Sequence, residues 1–118
     1  MPPSGYLSTE GVEANLVDLA ASYPSICQLI VLPELSAQGR TSRAIKLGSS
    51  STRAKPAVLI IGGIHARELV NPDMLSGLAR RLCVAYTGNT GLTFGGQSYG
   101  AGIEIGRASC RERVLMPV

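Results

Sequence analysis

The sequence predicts an α/β fold with helices flanking a small sheet, and three observations carry that prediction. Val12, Leu16, Leu19, Ala20 and Tyr23 recur at helical spacing, as do Leu75, Leu78, Ala79, Leu82 and Ala85. Between these two stripes, Val58, Leu59, Ile60 and Ile61 form a continuous, mostly β-branched run, the pattern of a strand buried on both faces. Ahead of that run, Arg43, Ala44, Ile45, Lys46 and Leu47 alternate charged and apolar residues, the period of a half-exposed strand.

The chain has 118 residues and 45% hydrophobic content, enough for one modest domain with its own core. One Phe and no Trp leave that core to aliphatic side chains. The formal charge of +3 is small, and its local concentrations, Arg80-Arg81 and the cluster from Arg107 to Arg113, carry no interleaved aromatics. Nucleic acid is therefore not an expected partner. No apolar run reaches membrane-spanning length, and Met1-Pro2-Pro3-Ser4-Gly5 lacks the charged and apolar regions of a signal peptide. If that start is authentic, no export signal is expected, and compartment and oligomeric state stay unassigned. Cys27, Cys83 and Cys110 form neither an even framework nor a CxxC pair, so they are expected to be buried or incidental thiols.

In chain order, Ser8 or Thr9 caps a helix over residues 10–22, with Glu10 and Glu13 near the positive end of its dipole. Tyr23-Pro24 stops it, because a residue before proline disfavours helical angles. A strand over residues 26–32 follows, and Pro33 ends it or marks an edge position. Ser36-Ala37-Gln38-Gly39-Arg40 reads as the turn of a hairpin leading into the alternating strand at 43–47. A serine-rich loop over 48–55 leads to the apolar strand at 57–61. After it, Asn71 as cap, Pro72 in the first turn and Asp73 beside it start a second helix that runs to about residue 86. Arg80 and Arg81 fall in its C-terminal half as a solvated face. Residues 87–102 are rich in Gly, Thr and Ser and show no helical or strand period.

The chemistry centres on Gly62-Gly63-Ile64-His65-Ala66-Arg67-Glu68, where the apolar strand stops at two glycines. Ligand sites in open α/β sheets sit just beyond the carboxyl ends of strands, and His65, the only histidine in the chain, stands there. Glu68 follows three residues later, close enough for an imidazole nitrogen and a carboxylate to converge on one cation. Zinc accepts that pair. The spacing alone also fits a solvated surface pair.

The wider string Gly62-Gly63-Ile64-His65-Ala66-Arg67-Glu68-Leu69-Val70-Asn71-Pro72-Asp73 closely resembles the first zinc-binding motif of the zinc carboxypeptidases, exopeptidases that remove C-terminal residues. The order of helix, Tyr23-Pro24, strand, Gln38-Gly39-Arg40 and strand, and the later Gly91-Leu92-Thr93-Phe94-Gly95-Gly96, are similar to the same family. The resemblance spans residues 6–100 and implies a partial mixed sheet with flanking helices, the opening part of the catalytic domain. It implies Zn2+ as cofactor, His65 and Glu68 as metal ligands, Arg67 as a group that binds substrate peptide, and the C-termini of peptides or proteins as substrates. Many members of the family are secreted. The family's third ligand is a distant histidine, which this chain does not contain, and its general-base glutamate and catalytic tyrosine lie later than the resemblance reaches. In the intact family, zinc polarises the scissile carbonyl and acidifies its water, and the glutamate moves the proton to the leaving amine. The 118-residue chain is accordingly expected to be inactive alone.

Two other readings share these residues. A related zinc deacylase acting on amidated amino acids also uses His-x-x-Glu, although Ala66-Arg67 and Asn71-Pro72-Asp73 favour the peptidase. A catalytically dead carboxypeptidase-like module would keep the fold and the peptide groove without the chemistry. A nucleotide-binding loop is disfavoured, since neither G-x-G-x-x-G nor a Walker lysine follows Gly62-Gly63. The domain boundary is expected near residue 102. Glu104-Ile105-Gly106-Arg107-Ala108-Ser109-Cys110-Arg111-Glu112-Arg113-Val114 resembles the translation of a common sequencing adapter, so 103–118 is expected to be adapter-derived or unstructured.

Overall fold

A computed structural model describes residues 5–48, 57–100 and 112–117. Helix α1 is Thr9–Ser22. Strands β1 (Cys27–Leu35) and β2 (Thr41–Leu47) form an antiparallel hairpin. Strand β3 (Ala57–Gly62) precedes helix α2 (Val70–Gly88), and β4 (Leu92–Phe94), β5 (Gln97–Tyr99) and β6 (Glu112–Pro117) follow. The main sheet has the order β1-β2-β6-β3, with β6 antiparallel to β2 and parallel to β3. The sheet is therefore mixed, as expected. Residues 112–117 supply its third position, inside the stretch expected to be adapter-derived or unstructured, while 103–111 lie outside the described residues.

Both helices cover one face of this sheet. Leu16 and Leu19 of α1, Ala79 and Cys83 of α2, Cys27 of β1 and Ile45 and Leu47 of β2 form a single buried cluster, with Ile60 of β3 packed against it. The register explains why these strand residues share a face: Cys27 pairs with Leu47 and Leu29 with Ile45, so alternate positions of the hairpin point toward the helices. Leu19 and Ile45 are fully buried, and losing either side chain removes apolar burial worth about 2–3 kcal/mol before any cavity cost.

The local signals for α1 translate directly. Ser8 is its cap, with Oγ accepting from the Gly11 N–H at 3.1 Å, and Tyr23 closes the other end with its N–H on the Leu19 carbonyl. Pro33 sits on the sheet edge, where the β1–β2 register breaks between Val31 and Leu35. The hairpin turn is closed by the Gly39 N–H on the Ser36 carbonyl at 2.8 Å, and Gly39 takes φ +73° as its position requires.

Three expectations need correction. The run in β3 is not buried on both faces: Leu59 and Ile61 alternate away from the helices and are 57% and 45% exposed, and β3 is an edge strand. Both helices lie on the other face, so among the described residues nothing covers these two side chains. Helix α2 starts two residues before Pro72, with Leu69 as a cap lacking a side-chain hydrogen bond, so Asn71 is helical and not the cap. Pro72 is still tolerated there, because first-turn N–H groups have no partner within the helix. Finally, residues 92–99 form the β4–β5 hairpin across Gly95-Gly96, whose φ values of +53° and +79° suit a tight primed turn.

Candidate metal centre

Gly62 ends β3 against the first turn of α2. A Cβ there would lie 2.8 Å from Leu75 Cδ1 and 3.0 Å from Asn71 Cβ, so a side chain at this position would have to displace Leu75 and crowd Asn71 where strand and helix approach closely. Gly63 follows with φ +77° and redirects the chain away from the sheet. The next residues fold into one turn, closed by the Glu68 N–H donating to the His65 carbonyl at 3.0 Å. The spacing of three thus acts through a turn preceding α2 rather than through helical periodicity.

That turn brings the two expected ligands together. His65 Nδ1 is 2.8 Å from Glu68 Oε1, and the His65 backbone N–H donates to Glu68 Oε2 at 3.4 Å. Hydrogen bonding from the His65 ring, helped by its backbone N–H and by the Asn71 side chain, holds the Glu68 carboxyl below the usual carboxylate range. Both side chains reach solvent, the imidazole with 70% of its surface exposed, so a cation can approach without a core rearrangement.

The donor set suits zinc. Bonds of about 2.0–2.2 Å to a nitrogen and an oxygen across a tetrahedral centre set the two donors about 3.3 Å apart. The present pair would need to open by only about half an ångström to meet that geometry. His65 and Glu68 are two donors, and among the described residues no group of three His, Cys, Asp or Glu side chains is arranged to hold a metal. Arg67, between them in sequence, is exposed and is not among the residues lining the adjoining cavity.

That cavity, of about 660 Å3, runs from His65, Ala66 and Glu68 to the start of α1 and the hairpin turn, where Glu10, Glu13 and Arg40 line it. Arg43 Nη1 binds Glu13 Oε1 at 2.9 Å and ties β2 to α1 along this wall. Nothing in the local sequence marks these side chains as neighbours of His65, since they meet it only through the packing of α1 on the sheet. Asn71 is the other residue misjudged from sequence, serving Glu68 rather than the helix end. Arg81 is exposed and Arg80 half-buried, with Arg80 paired to Asp18 of α1 at 2.7 Å and Arg81 donating to the Thr93 carbonyl at 3.2 Å. No helix among the described residues is long and apolar enough to cross a membrane.

Comparison with known proteins finds relatives of the chain. The family model described as zinc carboxypeptidase matches residues 12–94, a stretch that includes His65 and Glu68. Carboxypeptidase B of Astacus astacus is 36% identical over 73 residues, covering 62% of this chain and 23% of that protein. Carboxypeptidase B of Helicoverpa zea is 29% identical over 91 residues, covering 75% of this chain and 21% of that protein. The crystal structure of thrombin activatable fibrinolysis inhibitor superposes with a TM-score of 0.73 at 20% identity, over 94% of this chain and 24% of that one. The similar fold is thus a shared one, and the chain spans about a quarter of the length of these relatives.

Proposed function

The chain belongs to the zinc carboxypeptidase family, and on that premise we propose that it is the opening part of a zinc-dependent exopeptidase that releases C-terminal residues from peptides. His65 and Glu68 are the metal ligands it contributes, and Arg67 is the group that binds the substrate peptide. The observation that carries this reading is the convergence of His65 Nδ1 and Glu68 Oε1 at 2.8 Å inside the stretch matched by the family. A zinc ion held there supplies Lewis-acid polarisation of the scissile carbonyl and a more acidic bound water.

What the chain's own residues do follows from their positions. The His65 ring and backbone N–H, with the Asn71 side chain adding to them, hold the Glu68 carboxyl below the usual carboxylate range and orient it for a cation. Gly62 sets how closely that turn sits against α2. Arg67, exposed beside the pair, offers a planar donor fork suited to a peptide carbonyl or carboxylate. The 118 residues contain one histidine, so by the family's pattern they supply two of its three protein ligands, and the family's general-base glutamate lies later than the resemblance reaches. The account therefore has this chain inactive alone and the longer protein active. Residues 1–102 are read as the family portion, within which the family match over residues 12–94 lies, and 103–118 as foreign to it.

The test is a chimera. Residues 12–94 replace the matching segment of Astacus astacus carboxypeptidase B, and release of C-terminal residues from a peptide is measured with and without zinc. The expected result is zinc-dependent release that His65→Ala and Glu68→Ala each abolish. A folded chimera that neither binds zinc nor cleaves would overturn the proposal.

A further inference from the structure

Strand β6 lies inside the main sheet although it comes last in the chain. It pairs with Ile45, Lys46 and Leu47 of β2, and with β3 from Ala57 opposite Glu112 to Gly62 opposite Pro117. Strands β2 and β3 do not pair with each other, so β6 alone makes the sheet continuous between them. Without residues 112–117, two backbone edges would face each other across a gap one strand wide, each a row of N–H and C=O groups that a further strand can bind.

The walls of that gap are held by contacts of their own. The β1–β2 hairpin has its own pairing, and Ile45 is fully buried in the cluster with both helices. Strand β3 rests on that cluster through Ile60 and on α2 at Gly62, against Leu75 and Asn71. Both walls lie within residues 12–94, the stretch matched by the zinc carboxypeptidase family, and β6 lies outside it.

We propose that the slot between β2 and β3 is a strand-acceptor site, which binds an extended apolar segment supplied in trans as well as by the same chain. Pairing through the backbone gives the affinity, and alternate side chains give the selectivity. Ile45, Leu115 and Ile60 share one register row on the face that the helices cover, so an apolar residue is required at the position of Leu115. Val114 and Met116 are the register partners of Leu59 and Ile61, which are exposed on the opposite face, and the requirement is weaker there. The segment runs parallel to β3 and antiparallel to β2.

The test uses the full chain carrying Leu115→Pro, which removes a ladder N–H from β6 and the apolar residue from the shared row. Backbone hydrogen exchange is read by mass spectrometry. Residues 57–62 are expected to lose protection, because β6 is the strand that β3 pairs with among the described residues, while the β1–β2 hairpin keeps its own pairs. A synthetic peptide of residues 111–118, added in excess, is expected to restore protection to 57–62, and the same peptide with Leu115→Asp is not. If Leu115→Pro unfolds the chain, the unmodified peptide is expected to refold it, read by circular dichroism. The parent chain, whose slot is filled, is expected to gain no protection from the peptide. Unchanged exchange at 57–62 in Leu115→Pro, a peptide without effect on that variant, or equal action of the Leu115→Asp peptide would overturn the proposal. So would an equal gain by the parent chain, which would place the peptide on the outer edge of β3.

Discussion

Glu68 binds His65 twice through its carboxylate, once at the ring Nδ1 at 2.8 Å and once at the backbone N–H at 3.4 Å, while its own N–H closes the turn on the His65 carbonyl. Three contacts between two residues fix the direction of both donors without burying either. The arrangement is open on the solvent side, so both donors are accessible to a cation. Preorganisation by a turn differs from preorganisation by a helix, because the first turn of α2 stays free to carry Asn71 toward the carboxylate.

Gly62→Ala is expected to destabilise the fold by about 1–3 kcal/mol, because its Cβ would overlap Leu75 and crowd Asn71. Gly77→Ala, on the open face of α2 with nothing near its position, is expected to stabilise by about 0.5–1 kcal/mol. Urea unfolding midpoints of the two variants would separate on opposite sides of the parent chain. Equal shifts would contradict the close approach of β3 to α2.

The core and the surface should respond differently to truncation. Ile45→Ala, at a fully buried position facing both helices, is expected to cost about 2–5 kcal/mol. Asp18→Asn breaks the exposed pair with Arg80 and is expected to cost less than about 1 kcal/mol. Denaturant titration of both variants would check the contrast.

The start of α1 should be sensitive to acid. Glu10 lies in the first turn, and its carboxyl is held below the usual range, first by its own backbone N–H and then by Ser8. A depressed folded value means the stabilisation is present above the unfolded glutamate pKa and is lost as pH falls through the folded one. Glu10→Gln is expected to narrow the fall in stability across that acid window, measured as unfolding midpoint against pH. An unchanged profile would contradict the assignment.

Much of this was legible in the sequence. Ser8, Tyr23-Pro24 and the stripe at Val12, Leu16 and Leu19 delimit α1 to within a residue, because capping and periodicity are local. Pro33 on an edge and Gly39 in the hairpin turn are equally local. The β4–β5 hairpin was not legible as a pattern, since strands of three residues are too short to display a period, although Gly95-Gly96 carried the turn signal. Asn71 misled because a cap-like residue beside Pro72 looks the same whether it ends a turn or serves a neighbouring carboxylate. The open face of β3 was invisible because an apolar run does not say which of its neighbours lie within the same chain. His65 and Glu68 were legible as a pair, whereas Glu10, Glu13 and Arg40 beside them depend on tertiary packing.

The central claim is that His65 and Glu68 jointly hold zinc, and the single histidine makes one measurement decisive. Two-dimensional proton–nitrogen NMR of the imidazole, recorded while zinc is added to the full chain, reports which ring nitrogen binds and how tightly. The account predicts that the Nδ1 resonance of His65 moves on titration and that Glu68→Gln weakens the response by about tenfold, equivalent to roughly 1.4 kcal/mol of lost binding. Imidazole signals that stay in place, or that move identically in the parent chain and in Glu68→Gln, would contradict it.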